Sequence, residues 1–393
     1  MSINIEKLSR MQEVLEESVK NNEIAGANLC VIHNGAEVYY AQAGYADIAG
    51  NKKIERDSLF RLYSMSKPIT AAAIMLLMER GVVDLLDPIG KYIPSFNNMT
   101  VATENGDVPL DRPVTVKDCL DMTSGLTYNF DPDGASKDCA KMYDEIDKRL
   151  YSDNPMTTLE AISMLGEGRL AFQPGEGWRY GTSADVLGAV VEVVSGMKFG
   201  EFLEKEFFAP LGMKDTGFRV PDDKKERLTK VYEISDGGLN EYHGNHLGIC
   251  NHMDADIQFE SGGAGLVSSI EDYRHFSQML MNKGTYKGRQ YLSPQTVEYM
   301  TTCHLTPWQQ EMMKGWENLR GFSYGNLMRV MTDEGLGVFN GSLGEYGWDG
   351  WLGPYFSNMP KENTTFMMML QLTDAGTFTL TRKLRNVLAA AFE

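Results

Sequence analysis

The stretch "FRLYSMSKPITAAAIMLLMERG", residues 60–81, contains the pattern on which the interpretation of the whole chain depends. It places Ser64 three residues before Lys67, and an apolar run typical of a buried helix follows. Residues three apart lie on the same face of a helix, so the lysine falls beside Ser64 rather than beside Ser66. The pattern therefore predicts a hydroxyl and an amine side by side at the start of a helix.

These surroundings suit a nucleophile. A serine hydroxyl attacks a carbonyl only when a base takes its proton, and apolar burial lowers the pKa of a lysine until it can act as that base. The first backbone N–H groups of a helix have no intrahelical partner and lie at its positive end, where they would stabilise an oxyanion. We therefore interpret Ser64 as the candidate nucleophile and Lys67 as its partner.

The same spacing occurs a second time, as Ser195-Gly196-Met197-Lys198. Glycine is typical of the position just past the end of a helix, and here it closes the amphipathic run "SADVLGAVVEVVSG". We interpret this second copy as structural. Because two common residues fall at this spacing by chance, other segments are needed to support the first copy.

Those segments follow Ser64 in a characteristic order. They are "DLLDPIGKYIP", "VTVKDCLDMTSGL", "FQPGEGWRYGTSADVLGAVVEVVSG", "FFAPLGMKDTGF" and "GGAGLVSSIEDYRHF". Over roughly residues 10–390 the chain thus resembles the serine beta-lactamase-related family, which includes class C beta-lactamases, DD-peptidases and family VIII carboxylesterases. The resemblance implies an α+β fold of the beta-lactamase/transpeptidase type, in which helices flank an antiparallel sheet and a mostly helical region is inserted.

The resemblance also assigns roles to residues. Ser64 matches the family nucleophile, Lys67 its paired lysine, and Tyr180 the tyrosine that completes the trio. The backbone N–H groups of Ser64 and Trp351 match the oxyanion donors. The expected substrate pocket contains Trp348, Asp349, Gly350 and Thr182. The resemblance implies neither a cofactor nor a metal.

Two positions depart from the lactamase pattern. Class C enzymes and DD-peptidases carry Tyr-x-Asn where this chain has Tyr180-Gly181-Thr182, and Lys-Thr-Gly or His-Thr-Gly where it has Trp348-Asp349-Gly350. Family VIII esterases often have Trp-Gly-Gly at the second position. A carboxylate there would repel the carboxylate of penicillins and of D-Ala-D-Ala peptides. The departures favour a carboxylesterase that cleaves small or short-chain esters.

Several alternatives stay open at the level of sequence. The acyl-enzyme chemistry also fits a beta-lactamase, a D-amino-acid peptidase or an acyltransferase, and a hydrolase fold can persist in an inactive binding or regulatory protein. Whether Lys67 or Tyr180 is the general base is also open, because interacting groups titrate as a pair.

Composition limits the partners. The chain has 393 residues, of which 42% are hydrophobic and 23% charged, with a net charge of −17. Without a stretch dense in Lys and Arg, it lacks the footprint of a nucleic-acid binder, and its charge disfavours anionic membranes. A small-molecule ester or amide is the expected partner, and the oligomeric state is open. We expect an α/β domain from 1–90 and 262–393, a mostly helical domain from 91–261, and the active site between them.

Other features indicate a cytoplasmic protein. The N-terminus lacks a basic segment followed by an apolar one, and no apolar run approaches the length of a membrane span. An odd number of scattered cysteines favours free thiols in a reducing compartment. The cysteines are Cys30, Cys119, Cys139, Cys250 and Cys303.

A loop, "HGNHLGICNH", contains His243, His246, Cys250 and His252. These are zinc-binding residue types, but spacing alone is weak evidence for a metal site. We interpret them as loop histidines near the mouth of the pocket.

Periodicity predicts the elements at the two ends of the chain. Residues 5–22 form a helix, two β-rich runs form a hairpin around Asn34-Gly35, and a last helix spans about residues 380–392. The run "GLGVFNGS", residues 335–342, is interpreted as β-like, as are two later runs, "YFSNMPKE" and "TTFMMMLQLTD".

Overall fold

The two ends of the chain build one antiparallel sheet in this computed structural model, which describes residues 1–235, 237–302 and 305–393. The strands are β1 (Gly26–His33), β2 (Ala36–Asp47), β3 (Lys52–Lys53), β4 (Phe60–Arg61), β5 (Thr100–Thr103), β6 (Gly106–Pro109), β7 (Arg169–Leu170), β8 (Tyr232–Ser235), β9 (Gly238–Glu241), β10 (Val267–Ser268), β11 (Thr285–Tyr286), β12 (Arg289–Gln290), β13 (Phe322–Gly325), β14 (Met328–Met331), β15 (Tyr346–Asp349), β16 (Tyr355–Met359) and β17 (Thr364–Leu370). The central sheet has the order β13-β14-β15-β16-β17-β1-β2-β3.

Helices cover both faces of this sheet, and most of them come from the part of the chain between its first three strands and its last five. They are α1 (Ile5–Leu8), α2 (Arg10–Lys20), α3 (Lys67–Glu79), α4 (Val116–Leu120), α5 (Gly134–Arg149), α6 (Thr158–Leu165), α7 (Ser183–Ser195), α8 (Phe199–Leu203), α9 (Ala209–Leu211), α10 (Ile270–Met281), α11 (Pro294–Met300), α12 (Pro307–Met312) and α13 (Thr379–Ala391). A 3₁₀ turn, Tyr63–Ser66, leads directly into α3.

Strand β1 shows why the sheet is buried on both sides. Successive side chains of a strand point to opposite faces. Cys30 and Ile32 belong to the large core on the side of α10, whereas Leu29 and Val31 pack in a second core with α2 and α13. A strand covered on both faces reads as a continuous apolar run, as this one does.

Helix α3 lies in the middle of the large core. Its residues from Lys67 to Leu77 are all buried, and it packs against α7 and α11. A helix that is apolar all round is stable only where other elements surround it. The turn Tyr63–Ser66 is therefore anchored to a deeply buried helix.

Most of the predicted elements are confirmed. The first helix is split at Ser9 into α1 and α2, and the hairpin turns at Asn34-Gly35 with positive φ at both residues. Helix α7 ends at Gly196, whose φ is 68°, and the last helix is α13. The α+β fold with an antiparallel sheet is confirmed. Strands β16 and β17 form in the two later β-like runs.

The strand predicted for "GLGVFNGS" is wrong. Residues 334–336 form a 3₁₀ turn there, and the next strand, β15, begins only at Tyr346. The glycines and the asparagine of this run favour turns over a pleated strand. The strands β13 and β14, which precede the run, carry that edge of the sheet instead.

The two-domain division remains a prediction. The strands of the central sheet lie within 26–53 and 322–370, and α4–α9 lie within 91–261. Cys30, Cys119, Cys139 and Cys250 are buried free thiols, and Cys303 lies outside the described residues. Over the described part of the chain, no helix has the length and apolarity needed to cross a bilayer.

Candidate active site

The turn Tyr63–Ser66, which contains the candidate nucleophile Ser64, is held in an unusual backbone conformation. Tyr63, directly before Ser64, has a φ of 45°, in the left-handed region that bulky residues rarely occupy. Its ring is fully buried, and its hydroxyl donates to Asn251 Oδ1 at 2.9 Å. Packing of this kind maintains local strain, which is common at functional sites. The left-handed conformation of Tyr63 turns the chain between β4 and α3, and Ser64 is the next residue.

Lys67 contacts the candidate nucleophile directly. Its Nζ donates to Ser64 Oγ at 3.1 Å, to Tyr128 Oη at 3.0 Å and to the Gly263 carbonyl at 2.9 Å. Burial lowers the pKa of Lys67 to about 7. The negative charges of Asp185 and Asp349 act in the opposite direction and raise it. Near neutral pH, a large fraction of the amine is therefore unprotonated and able to accept the serine proton.

A buried carboxylate of α7 positions this lysine. Asp185 accepts a hydrogen bond from Ser261 Oγ and another, 3.0 Å long, from the Gly263 N–H. Those bonds fix the turn whose carbonyl holds Lys67 Nζ. Burial raises the pKa of Asp185, and hydrogen bonds and the charge of Lys67 oppose that effect. Its charge in turn raises the pKa of Lys67 and limits the effect of burial on the amine.

Tyr180 faces the same lysine from the other side. Its Oη accepts a hydrogen bond from Trp348 Nε1 at 2.8 Å, and Lys67 Nζ lies 4.5 Å from the centre of its ring. Burial raises the pKa of Tyr180 far above that of free tyrosine, despite hydrogen bonds with Ser64 and Trp348. The phenol therefore stays protonated and acts as a hydrogen-bond donor rather than as a phenolate.

The end of β15 packs closely against the segment that leads into the turn Tyr63–Ser66. A Cβ on Gly350 would lie 2.2 Å from the Leu62 carbonyl oxygen, so only glycine fits there. Among the described residues, the backbone N–H groups of Ser64 and Trp351 donate to no acceptor within the protein. Two unpaired donors beside a nucleophile are what an oxyanion hole requires.

A cavity of about 580 Å³ opens above Ser64. Aromatic rings form most of its walls, and three of the expected pocket residues, Trp348, Asp349 and Gly350, line it. The structure places Thr182 outside the lining, since its side chain is fully buried and donates to the Thr127 carbonyl at 3.4 Å. The aromatic wall consists of Tyr128, Phe130, Trp178, Tyr180, His246, Trp316, Trp348 and Trp351.

His246 lies apart from the other two histidines of the 243–252 loop, which contact each other. His246 lines the cavity and stacks on the Trp351 ring at 4.0 Å, and burial lowers its pKa to about 4. The thiol of Cys250 donates instead to Asp254, and His243 stacks on His252 at 5.8 Å. Within the described ranges, no group of three or more His, Cys, Asp or Glu side chains could hold a metal ion.

The sequence analysis missed three groups of the site. Tyr128, Asp185 and Gly263 come from segments far from Ser64 along the chain, and only folding brings them to Lys67. A signal for Asp185 was present, since it is an acidic residue within the apolar run of α7. An acid at a core position normally has a polar partner.

Comparison with known proteins places this chain in a family. A model described as Beta-lactamase matches residues 11–391. The chain belongs to the beta-lactamase family. Protein Rv1367c of Mycobacterium tuberculosis is 30% identical over 346 residues, which cover 84% of this chain and 81% of that protein. Esterase EstB of Burkholderia gladioli is 31% identical over 275 residues, 67% of each chain.

The fold agrees with a solved structure. EstCE1, described as a hydrolase with promiscuous acyltransferase activity, superposes with a TM-score of 0.83 at 23% identity, over 98% of this chain and 99% of that one. The resemblance to the serine beta-lactamase-related family, close to family VIII carboxylesterases, is confirmed. The protein is a serine hydrolase of the beta-lactamase and penicillin-binding-protein superfamily.

Proposed function

We propose that the protein is a carboxylesterase that cleaves small esters through an acyl-enzyme on Ser64. The observation that carries this proposal is the contact between Ser64 Oγ and the buried Lys67 amine, at the floor of an aromatic cavity. The likeness to esterase EstB supports the same activity. The proposal makes Lys67 and Tyr180 the other two members of the catalytic trio.

The geometry supports one division of labour within the trio. Ser64 Oγ attacks the acyl carbon as its proton passes to the unprotonated Lys67 Nζ, and the N–H groups of Ser64 and Trp351 stabilise the oxyanion. The carbon–oxygen bond to the alcohol then breaks, and the proton returns from Lys67 to the leaving oxygen, with the Tyr180 hydroxyl, which is hydrogen-bonded to Ser64, as the relay. Water attacks the acyl-enzyme by the same route, releases the acid and restores Ser64.

The lining disfavours carboxylate-bearing substrates. A penicillin or a D-Ala-D-Ala peptide would present its carboxylate to this cavity, where Trp348 replaces the Lys or His of lactamases and the next residue is the acidic Asp349. The one cationic side chain of the described lining, Arg179, is already paired with Asp133 at 2.5 Å. Desolvating a carboxylate against another carboxylate is unfavourable.

The test compares two substrates on one protein. We expect kcat/KM for p-nitrophenyl butyrate to exceed that for nitrocefin, a cephalosporin, by at least about a hundredfold, given the missing cation. Ser64→Ala should remove both activities, and Ser66→Ala, whose Oγ accepts from the Leu266 N–H, is the matched control. A higher value for nitrocefin would assign the protein to the lactamase branch of the family.

A further inference from the structure

The cavity contains a buried carboxylate that faces no nearby cation. Asp349 is 8% exposed and lines the cavity, and one of its oxygens accepts from Thr377 Oγ1. No Lys, Arg or His nitrogen of the described residues lies within 4.0 Å of it, although Arg329 and Lys67 act on it from further away. Buried carboxylates are normally paired. Burial raises the pKa of Asp349, and a positive charge brought into the cavity beside it would favour its ionised form and pair with it.

The other charged residues of the lining do not compensate for it. Asp131 and Asp374 also line the cavity, and Arg179 is occupied by Asp133 and lies 3.8 Å from Asp131. His246 is neutral near pH 7, because burial lowers its pKa to about 4. The lining is therefore negative overall, and the chain as a whole, at −17, attracts cations toward it.

Aromatic rings surround the same space. The ring centres of Tyr180, Trp316 and Trp348 lie 5.0 to 6.3 Å apart, and all three residues line the cavity together with Asp349, which follows Trp348 in the chain. The face of an aromatic ring carries negative charge density and attracts ammonium groups, most strongly in tryptophan. Rings of this kind beside an unpaired carboxylate form the two parts of an ammonium-binding site.

We propose that the active-site cavity selects esters that carry an ammonium group, held against the ring of Trp316 and facing Asp349 while the ester carbonyl lies on Ser64. This inference rests on the proposed esterase function and specifies its substrate class. The ammonium group takes no part in bond making: the Ser64–acyl bond forms, the ester carbon–oxygen bond breaks, and the serine proton leaves with the alcohol. Water then restores the serine and releases the acid.

The test uses pairs of esters that differ only in charge. Choline butyrate is compared with its carbon isostere, in which a tert-butyl group replaces the trimethylammonium group, near pH 8 and at low ionic strength. A second pair carries the same two groups on the acyl side of a p-nitrophenyl ester. For at least one pair, we expect kcat/KM to favour the charged ester by about tenfold or more, the size of a desolvated cation–π contact supplemented by one carboxylate.

Variants locate the source of the preference. Asp349→Asn and Trp316→Leu should each reduce the ratio of charged to neutral ester at least about threefold, as expected for the loss of one attractive contact. Asp222→Asn removes the same charge from a side chain that is 93% exposed and outside the cavity lining, and it should leave the ratio unchanged. Tetramethylammonium should inhibit p-nitrophenyl butyrate hydrolysis competitively, which tests the site without a charged substrate.

The outcomes separate this inference from the proposed function. If p-nitrophenyl butyrate is cleaved at Ser64 but neither pair shows a preference for charge, the ammonium site is wrong and the esterase stands. A preference that persists in both Asp349→Asn and Trp316→Leu also overturns the site. If no ester is cleaved, the proposed function fails and this inference fails with it.

Discussion

The two copies of the Ser-x-x-Lys spacing lie in opposite surroundings. Ser64 and Lys67 are buried, and their side chains share a hydrogen bond of 3.1 Å. Ser195 lies at the end of α7, where its Oγ accepts from the Met197 N–H at 3.2 Å, and the exposed Lys198 donates to Gln258 Oε1 at 2.7 Å. One copy starts a helix and the other spans the end of one.

The difference shows what the spacing alone supplies. Three residues of helix place a hydroxyl beside an amine, but the left-handed Gly196 breaks that relation in the second copy. Reactivity further requires a lysine whose pKa has been lowered, and only Lys67 has the burial that does this. The copy that we propose to be catalytic differs from the other in what folds around it rather than in its own residues.

The largest expected effect separates the two serines. Ser64→Ala removes the nucleophile and should lower kcat for p-nitrophenyl butyrate by a factor on the order of 10⁴–10⁶, as for other serine hydrolases. Ser195→Ala, the matched control, should keep kcat within about twofold of wild type, because its hydroxyl makes only a local bond at the end of α7. Loss of activity in the second variant alone would reverse the assignment.

The two lysines give the next comparison. Lys67→Met and Tyr180→Phe should each lower kcat by a factor on the order of 10²–10⁴, the usual cost of losing a proton-transfer group. The double variant should be little worse than either single one, because the two groups act as a unit. Lys198→Met is the control and should turn over normally. Near-normal turnover in Tyr180→Phe would remove this tyrosine from the mechanism.

A smaller loss of kcat is expected from a change at Gly350, where the end of β15 packs beside the turn that contains Ser64. Gly350→Ala places a methyl group against the Leu62 carbonyl and should displace the Trp351 N–H from the oxyanion site. Loss of one such donor costs on the order of 10²–10³ in kcat. Gly238→Ala, where a Cβ meets no atom within 4 Å, is the control, and circular dichroism checks that both variants fold. Unchanged kcat in Gly350→Ala would mean that this N–H does not contact the oxyanion.

The smallest effect is a shift in pH dependence. Because only unprotonated Lys67 accepts the serine proton, kcat/KM should rise as the pH rises through about 7 and then level off. The charge of Asp185 favours protonated Lys67, so Asp185→Asn should lower this pKa and move the rise to lower pH. Glu192→Gln makes the same charge change on α7, and its pH profile should match that of wild type. A rise that stays in place in Asp185→Asn would contradict the proposed coupling.

The sequence predicted the features that depend on residues close together in the chain. The hairpin follows from Asn34-Gly35, the helices follow from periodicity, and the Ser64–Lys67 contact follows from three residues of helical spacing. The roles expected for Ser64, Lys67 and Tyr180, and the fold, were predicted from the family resemblance that the ordered motifs carry. The short strands β13–β15 were not predicted. Each has only four residues, all of them buried, so none shows the alternation of buried and exposed positions that is typical of a half-buried strand.

The rest of the site depends on contacts between distant segments. Tyr128 lies 61 residues from Lys67 and Gly263 lies 196 residues from it, and no local pattern relates them. The position of Thr182 could not be read from its place after Tyr180 either. A neighbouring residue in the chain can face the core, and Thr182 does so, since its side chain is fully buried and donates to the Thr127 carbonyl.

The most direct test of the central claim is to trap the acyl-enzyme. Wild-type protein is mixed with p-nitrophenyl butyrate, quenched in acid within a turnover, and examined by intact-protein and peptide mass spectrometry. We predict one butyryl group per chain on the peptide that contains Ser64, the same adduct in Ser195→Ala, and none in Ser64→Ala. A butyryl group on Ser66 or Ser195, or wild-type turnover without any adduct on Ser64, would contradict the account.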